Sequence, residues 1–492
     1  MPDDAPPDPP SDPPGRPLRV AVVGAGPAGL FTVDALTDSA DVPVSVEVVD
    51  RLPTPFGLLR YGVAPDHPEI RSIRNRFTGL LHRDDVAFLG GVEIGRDVTV
   101  AALCERVDAI VYSYGAASDR HLDVPGEDLR GSLSATQLVA WYCGHPDADR
   151  ALVEDALGAG GSGEGVRCAV VVGAGNVALD VARVLARTPD ELAGTDMPDH
   201  VLVALAATTP QELHVLVRRG PAHVAFSTPE LRELGKLADA VVVLADPDVD
   251  LCDPPGASRV VSRNLAVLRG WAQAEPPPPG GRRVVLHFWS RPVGLFGAGP
   301  AGRERVQTVS VEPTELDDDG RLVASGAPHD VPADLVVRAV GYRGVGLPGV
   351  PFDEVGAVVP NEAGRVLRAG ADGRRVATGE YVTGWIKRGP QGVIGTNKPD
   401  ARETARAVLA DAPELLRRPD PGGLAAWLSA RGTPAVTVAG WDLIDAAEVA
   451  LGQTEGRERA TLANRAAMLA AVDRDPDHDH GPGHGPRPTL PR

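Results

Sequence analysis

Two glycine-rich turns, each set between a short β-branched strand and a helix-patterned segment, predict an α/β fold with two Rossmann-like dinucleotide-binding domains. The length of 492 residues agrees, being too great for one ordinary core and suited to two or three domains. With 43% apolar but only 4% aromatic residues, the sheets are left to aliphatic β-branched side chains.

The first turn follows Arg19–Val23 (RVAVV), a run that reads as a buried parallel strand. It meets Gly24, Gly26 and Gly29 in GAGPAG, then a helix with Leu30, Val33 and Leu36 on one face. Each glycine has a separate reason: a tight turn, close approach of backbone to a pyrophosphate, and close helix–strand packing. The free N–H groups and partial positive charge of the helix start then face the phosphates. The next strand, Val44–Val49, ends at Asp50, 26 residues after Gly24. A carboxylate there accepts the ribose hydroxyls of an adenosine and repels a 2′-phosphate, so FAD or NAD is expected rather than NADP.

The second turn follows Cys168–Val172 (CAVVV) and carries Gly173, Gly175 and Ala178 in GAGNVA. Its helix continues through Val181 and Val184–Leu185. The following strand, Leu213–Val217, arrives about 40 residues after Gly173, so an extra helical segment is expected between them. That strand ends in Arg218 and Arg219, not in an acid. Guanidinium binds phosphate bidentately, so this site is expected to take the 2′-phosphate of NADPH.

The formal charge of −18 argues against a general nucleic-acid or anionic-membrane binder. No CxxC occurs among Cys104, Cys143, Cys168 and Cys252, which excludes a redox dithiol of the thioredoxin type and a zinc ribbon. Buried free thiols are expected instead. The first 16 residues, with seven prolines and four aspartates, contain no apolar run of a signal peptide, and no 18-residue apolar stretch follows. The expected compartment is the cytoplasm. The segments 1–16 and 473–492, the latter holding His478, His480 and His484, read as disordered tails. Only Lys236, Lys387 and Lys398 are lysine, so arginine is abundant and a lone arginine signals little.

Four longer motifs add to this: LPTPFGLLRYGVAPDHPEIRSI from Leu52, VGAGNVALDVARVL, VRRGP with FSTPELREL, and GWIKRGPQGVIGTNKPDA. Together they resemble the adrenodoxin reductase-type ferredoxin–NADP reductases over about Leu18 to Ala450. The resemblance implies an NADPH domain (118–342) inserted into a discontinuous FAD domain (17–117 and 343–472). Ala109–Gly115 and Leu335–Gly341, apolar strands ending in glycine, fit the crossings. It also implies site residues. Gly24, Gly26, Ala28, Asp50, Leu58 and Ile94 would contact the adenosine and pyrophosphate of FAD, and Trp385, Gly392, Val393 and Ile394 would lie at the flavin. Arg120, Asn176, Val177, Arg218, Arg219, Glu230 and Gly392 would contact NADPH.

The implied reaction moves a hydride from nicotinamide C4 to flavin N5, then single electrons to a ferredoxin-type iron–sulfur protein. Backbone N–H groups around Gly392–Ile394, if they begin a helix, would stabilise negative charge near flavin N1. Pro68 suits a first helical position, making His67 the cap residue; a helix N-terminus there should lower the imidazole pKa. In the family this histidine and a glutamate matching Glu233 lie near the nicotinamide. Glu230 also fits a capping box, Ser227-x-x-Glu230. An acidic chain that meets an acidic ferredoxin needs a local basic patch, and Arg232 with Lys236, four apart on one helix face, offers one. No metal site is expected. The alternatives left open are an NADPH diaphorase or quinone reductase, and a flavin redox sensor that does not turn over.

Overall fold

The computed structural model describes residues 15–39, 41–158, 165–274, 280–370 and 373–473. The expected tails lie outside these residues except at their inner ends. One of those ends is firmly held: Arg16 grips Asp108 with two hydrogen bonds of 2.6 and 2.8 Å. The described residues form two compact units.

The first unit comprises the described residues within Met1–Gly57, Ile73–Ala116 and Gly344–Trp441. Its seven-stranded sheet runs Asn361–Glu362, Arg365–Gly370, Gly373–Val382, Ala109–Tyr112, Leu18–Val23, Val44–Asp50, Val86–Gly90. The last five are parallel, with Val20 opposite Val46 on one side and Ala109 on the other. The two strands at the far edge are antiparallel. A parallel strand is covered on both faces, which is why Leu18–Val23 carries almost no polar residue. Ala21, Val23, Val49, Ile110 and Tyr112 pack with Leu103, Val382 and Leu424 in one core.

The second unit comprises the described residues within Leu58–Ser72, Ala117–Arg343 and Asp442–Arg492. Its six parallel strands run Ser132–Ser134, Leu335–Arg338, Cys168–Val172, Glu212–Leu216, Arg283–His287, Val241–Leu244. The extra residues between Gly173 and the next strand form helices Pro189–Leu192 and Asp199–Ala207, as the spacing predicts. An antiparallel hairpin, Ser290–Ala298 with Arg305–Leu316, packs Leu295, Val309 and Val311 onto Val170, Val172 and Leu216 of the sheet. Where the chain enters and leaves this unit, Ser118–Asp119 pairs antiparallel with Tyr342–Arg343.

Two segments fall elsewhere than the expected boundaries put them. Leu58–Ser72 and the chain from Asp442 group with the second sheet, not the first. Ion pairs tie them there: Asp66 with Arg183 and Arg71 with Asp196 hold the first segment, Arg457 with Asp199 holds the second, and Arg60 with Glu448 joins the two. All four cysteines are free, but only Cys143 is buried; Cys104 and Cys252 are exposed, against expectation.

Candidate functional site

In the first unit the three glycines divide their work as the motif requires. Gly24 has φ +109°, and a Cβ there would lie 2.7 Å from Ser113 O. At Gly29 a Cβ would overlap Gly24 O and stand 2.6 Å from Ser113 Oγ, so helix and strand meet with no room for a side chain. At Gly26 nothing comes nearer than Gly57 Cα at 4.0 Å. That open face, at the N-cap of helix Pro27–Thr37, is the space a pyrophosphate would use, and the residues present fit the group. Asp50 stands at the strand end and accepts the N–H groups of Ala25 (2.8 Å) and Leu52 (2.9 Å), which fixes its carboxylate beside the turn. Ala28 is buried, and Gly384 is tight against it, since a Cβ at 384 would lie 2.5 Å from Ala28 Cβ. Ile94 is buried in the core of this unit.

The GWIKRGP segment folds onto its own downstream residues. Asp400 accepts Gly384 N–H (2.6 Å) and pairs with Lys387 Nζ (2.7 Å), while Arg388 donates to Asn397 Oδ1 (2.8 Å). Trp385 opens the short helix Trp385–Arg388. Gly392 has φ +85°. Ile394–Thr396 forms a 3₁₀ turn that leads into helix Asn397–Leu415. Among the described residues, the N–H groups of Gly392, Val393 and Ile394 donate to no protein acceptor. A run of open donors at the head of a 19-residue helix suits negative charge.

In the second unit a Cβ at Gly173 would lie 2.5 Å from Ala339 O, whereas Gly175 has nothing within 4 Å. Gly175 caps helix Asn176–Ala186, so here too the open face is at a helix start. Ala178 is fully buried, Val177 partly exposed, and Asn176 Oδ1 accepts Ser227 N–H at 2.7 Å. Arg218 and Arg219 are exposed beyond strand Glu212–Leu216, and among the described residues neither has a carboxylate partner. Arg120 is exposed, and its N–H donates to Gly341 O (2.9 Å). Leu58 is half-buried at the start of helix Leu58–Tyr61.

His67 lies in a buried ionic cluster that the sequence did not disclose. Its Nε2 is 3.0 Å from Glu230 Oε2, 3.3 Å from Asp180 Oδ1 and 2.6 Å from Arg183 Nη2. Arg183, fully buried, also binds Asp66 (2.7 and 3.0 Å) and Asp180 (2.8 Å), and Arg187 approaches Asp66 at 3.1 Å. One nitrogen cannot both accept from Arg183 and donate to the carboxylates. Two acids against one guanidinium decide for donation. Burial alone would lower the His67 pKa, but the hydrogen bonds to Asp180 and Glu230 outweigh it and raise the value to about 9. This corrects the expected lowering. His67 does cap a helix with Pro68 at its first position, but Pro68–Arg71 is a single turn with little dipole. Burial likewise opposes the charge of Glu230, and its bond to His67 holds the carboxyl below its ordinary range. Three potential metal-ligand atoms, on His67, Asp180 and Glu230, lie within 4.8 Å of one another, but Arg183 sits among them and repels a cation.

Glu233, which the resemblance puts near the nicotinamide, pairs with Lys236 Nζ at 2.6 Å and takes no part in the His67 cluster. Ser227 caps helix Thr228–Leu234 without a side-chain bond, so the capping box is not made: Glu230 turns to His67 and Arg183. The Arg232–Lys236 face is not made either. The helix ends at Leu234 with Gly235 as its C-cap, and Lys236 lies beyond it. Arg183 had one signal in the sequence: it falls on the buried side of an apolar helix, where a charge demands a partner.

Two sheets built mainly of parallel strands, each with a glycine turn whose open face lies at a helix start, define an oxidoreductase of the two-dinucleotide class. No protein-family model matches the chain. NADPH-ferredoxin reductase FprA of Mycobacterium tuberculosis is 42% identical over 474 residues, covering 92% of this chain and 99% of that protein. The mitochondrial NADPH:adrenodoxin oxidoreductase of Arabidopsis thaliana is 35% identical over 472 residues, covering 93% and 96%. The solved structure of Mycobacterium tuberculosis FprA in complex with NADPH matches with a TM-score of 0.83 at 41% identity, over 93% of this chain and 100% of that one. The chain belongs to the adrenodoxin reductase-type ferredoxin–NADP reductase family. Among the described residues no helix is long and apolar enough to cross a membrane.

Proposed function

We infer that this chain is a flavoprotein oxidoreductase that takes a hydride from NADPH onto FAD and passes single electrons to a ferredoxin-type iron–sulfur protein. The observation that carries this reading is the opposite charge at two equivalent places. Asp50 stands where the first glycine turn would meet an adenosine ribose, and Arg218 with Arg219 stand where the second would.

In this reading Gly24, Gly26, Ala28, Gly29, Asp50, Leu58 and Ile94 serve the adenosine and pyrophosphate of FAD. Trp385 and the open N–H groups of Gly392, Val393 and Ile394 serve its ring system. Gly173, Gly175, Asn176, Val177, Ala178, Arg120, Arg218, Arg219 and Glu230 serve NADPH, with Gly392 shared. Bound FAD supplies the conversion from a two-electron to a one-electron donor. The chain's part is to bind, to orient and to hold charge. His67 keeps its proton on Nε2 toward Glu230 and Asp180, which sets the sign of charge available to a nicotinamide. Glu233 has a surface partner in Lys236 and serves this reading as a positioning residue. Of the pair Arg232 and Lys236, Glu233 offsets the Lys236 charge, so ferredoxin docking at this place rests on the exposed Arg232. The cytoplasm is the assigned compartment.

The purified protein should be yellow, bleach on adding NADPH, and turn over when ferredoxin is supplied. Precipitation by acid or heat should release FAD into the supernatant. Released FMN, or bleaching with no reoxidation by any ferredoxin, counts decisively against the assignment.

A further inference from the structure

The turn Arg218-Arg219-Gly220 is clamped along its whole length by residues from the antiparallel hairpin and the strand before it. Val217 N–H donates to His287 O (2.8 Å) and Val217 O accepts Ser290 N–H (2.9 Å). Arg218 O accepts the buried Thr314 hydroxyl (2.8 Å), and Arg219 O accepts Trp289 N–H (3.2 Å). Trp289 O in turn accepts Thr314 N–H (2.9 Å), which closes the loop of bonds.

Trp289 itself has φ +54°, a left-handed backbone that a bulky residue rarely adopts. Its indole lies directly over Gly220: a Cβ there would be 2.5 Å from Trp289 Cε2 and 2.8 Å from Nε1. Gly220 has φ −74°, which any residue accepts, so glycine is needed here for closeness and not for conformation. The His223 ring meets the indole edge-on at 5.7 Å. Trp289 is partly buried and is not part of the apolar cluster beneath this sheet; its backbone is held instead by the bonds to Arg219 and Thr314.

We propose that Trp289 is a positioning residue for cofactor selectivity, holding the Arg218–Arg219 backbone in the place from which both side chains reach a 2′-phosphate. The proposal rests on the reading of those arginines as 2′-phosphate ligands. A backbone already in place leaves only the two side chains to order when the phosphate binds, and a loosened turn loses affinity only for ligands that carry that phosphate.

The test uses the FAD-loaded enzyme with three variants. Trp289→Asn keeps the N–H and tolerates a positive φ but removes the indole. Trp289→Phe keeps a ring over Gly220, and Arg218→Ala checks the underlying reading. The probe is 2′,5′-ADP, with 5′-AMP as the control lacking the 2′-phosphate, measured by calorimetry beside steady-state kinetics. Trp289→Asn should weaken 2′,5′-ADP and raise KM for NADPH about ten-fold. Binding of 5′-AMP, kcat at saturating NADPH, NADH kinetics and the melting temperature should stay as in the wild type, with Trp289→Phe intermediate in affinity. If Trp289→Asn binds 2′,5′-ADP like the wild type while Arg218→Ala does not, the clamp is refuted and the arginine reading stands. If Arg218→Ala also leaves the affinity unchanged, the arginine reading has failed, and the proposal with it. Equal losses toward 2′,5′-ADP and 5′-AMP would make Trp289 merely structural and overturn the proposal.

Discussion

Replacing Glu230 by Gln should move the titration of His67 and change how stability depends on pH. The cluster holds three carboxylates, on Asp66, Asp180 and Glu230, and two guanidinium groups, on Arg183 and Arg187. A protonated His67 makes three charges of each sign; burial opposes its proton, but the hydrogen bonds to Asp180 and Glu230 outweigh that and raise the pKa to about 9. Removing the Glu230 charge leaves Asp180 alone to oppose burial and Arg183, so the midpoint should fall by roughly 1–2 pH units. The folded value lies above the unfolded one, so the stabilisation is complete below the ordinary histidine range and fades as pH rises through about 9. After allowance for solvent screening of a partly buried group it is worth about 1–2 kcal/mol. Histidine NMR titration, with the His67 signal assigned by its loss in His67→Gln, gives the midpoint. Urea unfolding at pH 6 and pH 10 gives the stability, and the gap between wild type and Glu230→Gln should be wider at pH 6. A wild-type His67 midpoint at or below 6.5, or a gap equal at both pH values, would refute the reasoning.

Glu448 is fully buried and takes Arg60 (3.0 Å), Arg459 (3.1 Å) and Leu462 N–H (2.8 Å), so Glu448→Gln should cost about 3–5 kcal/mol. Thermal unfolding checks this, and a melting temperature within a degree of wild type would show that the network relaxes freely. The two glycines of the first turn should fail differently. Gly29→Ala collides with Gly24 O and should lower the melting temperature of the apoprotein, whereas Gly26→Ala meets no protein atom closer than 4.0 Å. Gly26→Ala should therefore leave the apoprotein melt unchanged but reduce the FAD retained through purification. Equal FAD content in Gly26→Ala and wild type would remove the pyrophosphate from that face.

What was legible in the sequence depended on how far apart the interacting residues lie. Each glycine turn is built by a few consecutive residues, so three spacings and one strand end were enough to place Gly24, Gly26, Gly29 and Asp50. The long interval after Gly173 likewise implied the helices that fill it. The His67 cluster joins segments 116 and 47 residues apart through Arg183, and no local pattern encodes that meeting. The helix dipole points the wrong way for His67 because a single turn of backbone carries little of it, and tertiary packing brings in two carboxylates that outweigh it. Glu230 and Glu233 show the same limit at smaller scale. Three residues apart, both could face inward, and only the rotation of the helix on its neighbours decides that Glu230 meets His67 while Glu233 meets Lys236. A carboxylate that reaches the imidazole keeps it charged, and one that does not leaves it to burial and Arg183. The charge His67 carries therefore depends on how Thr228–Leu234 is packed, and residues that set that packing, such as the fully buried Leu231 and Leu234, bear on the site without lying in it.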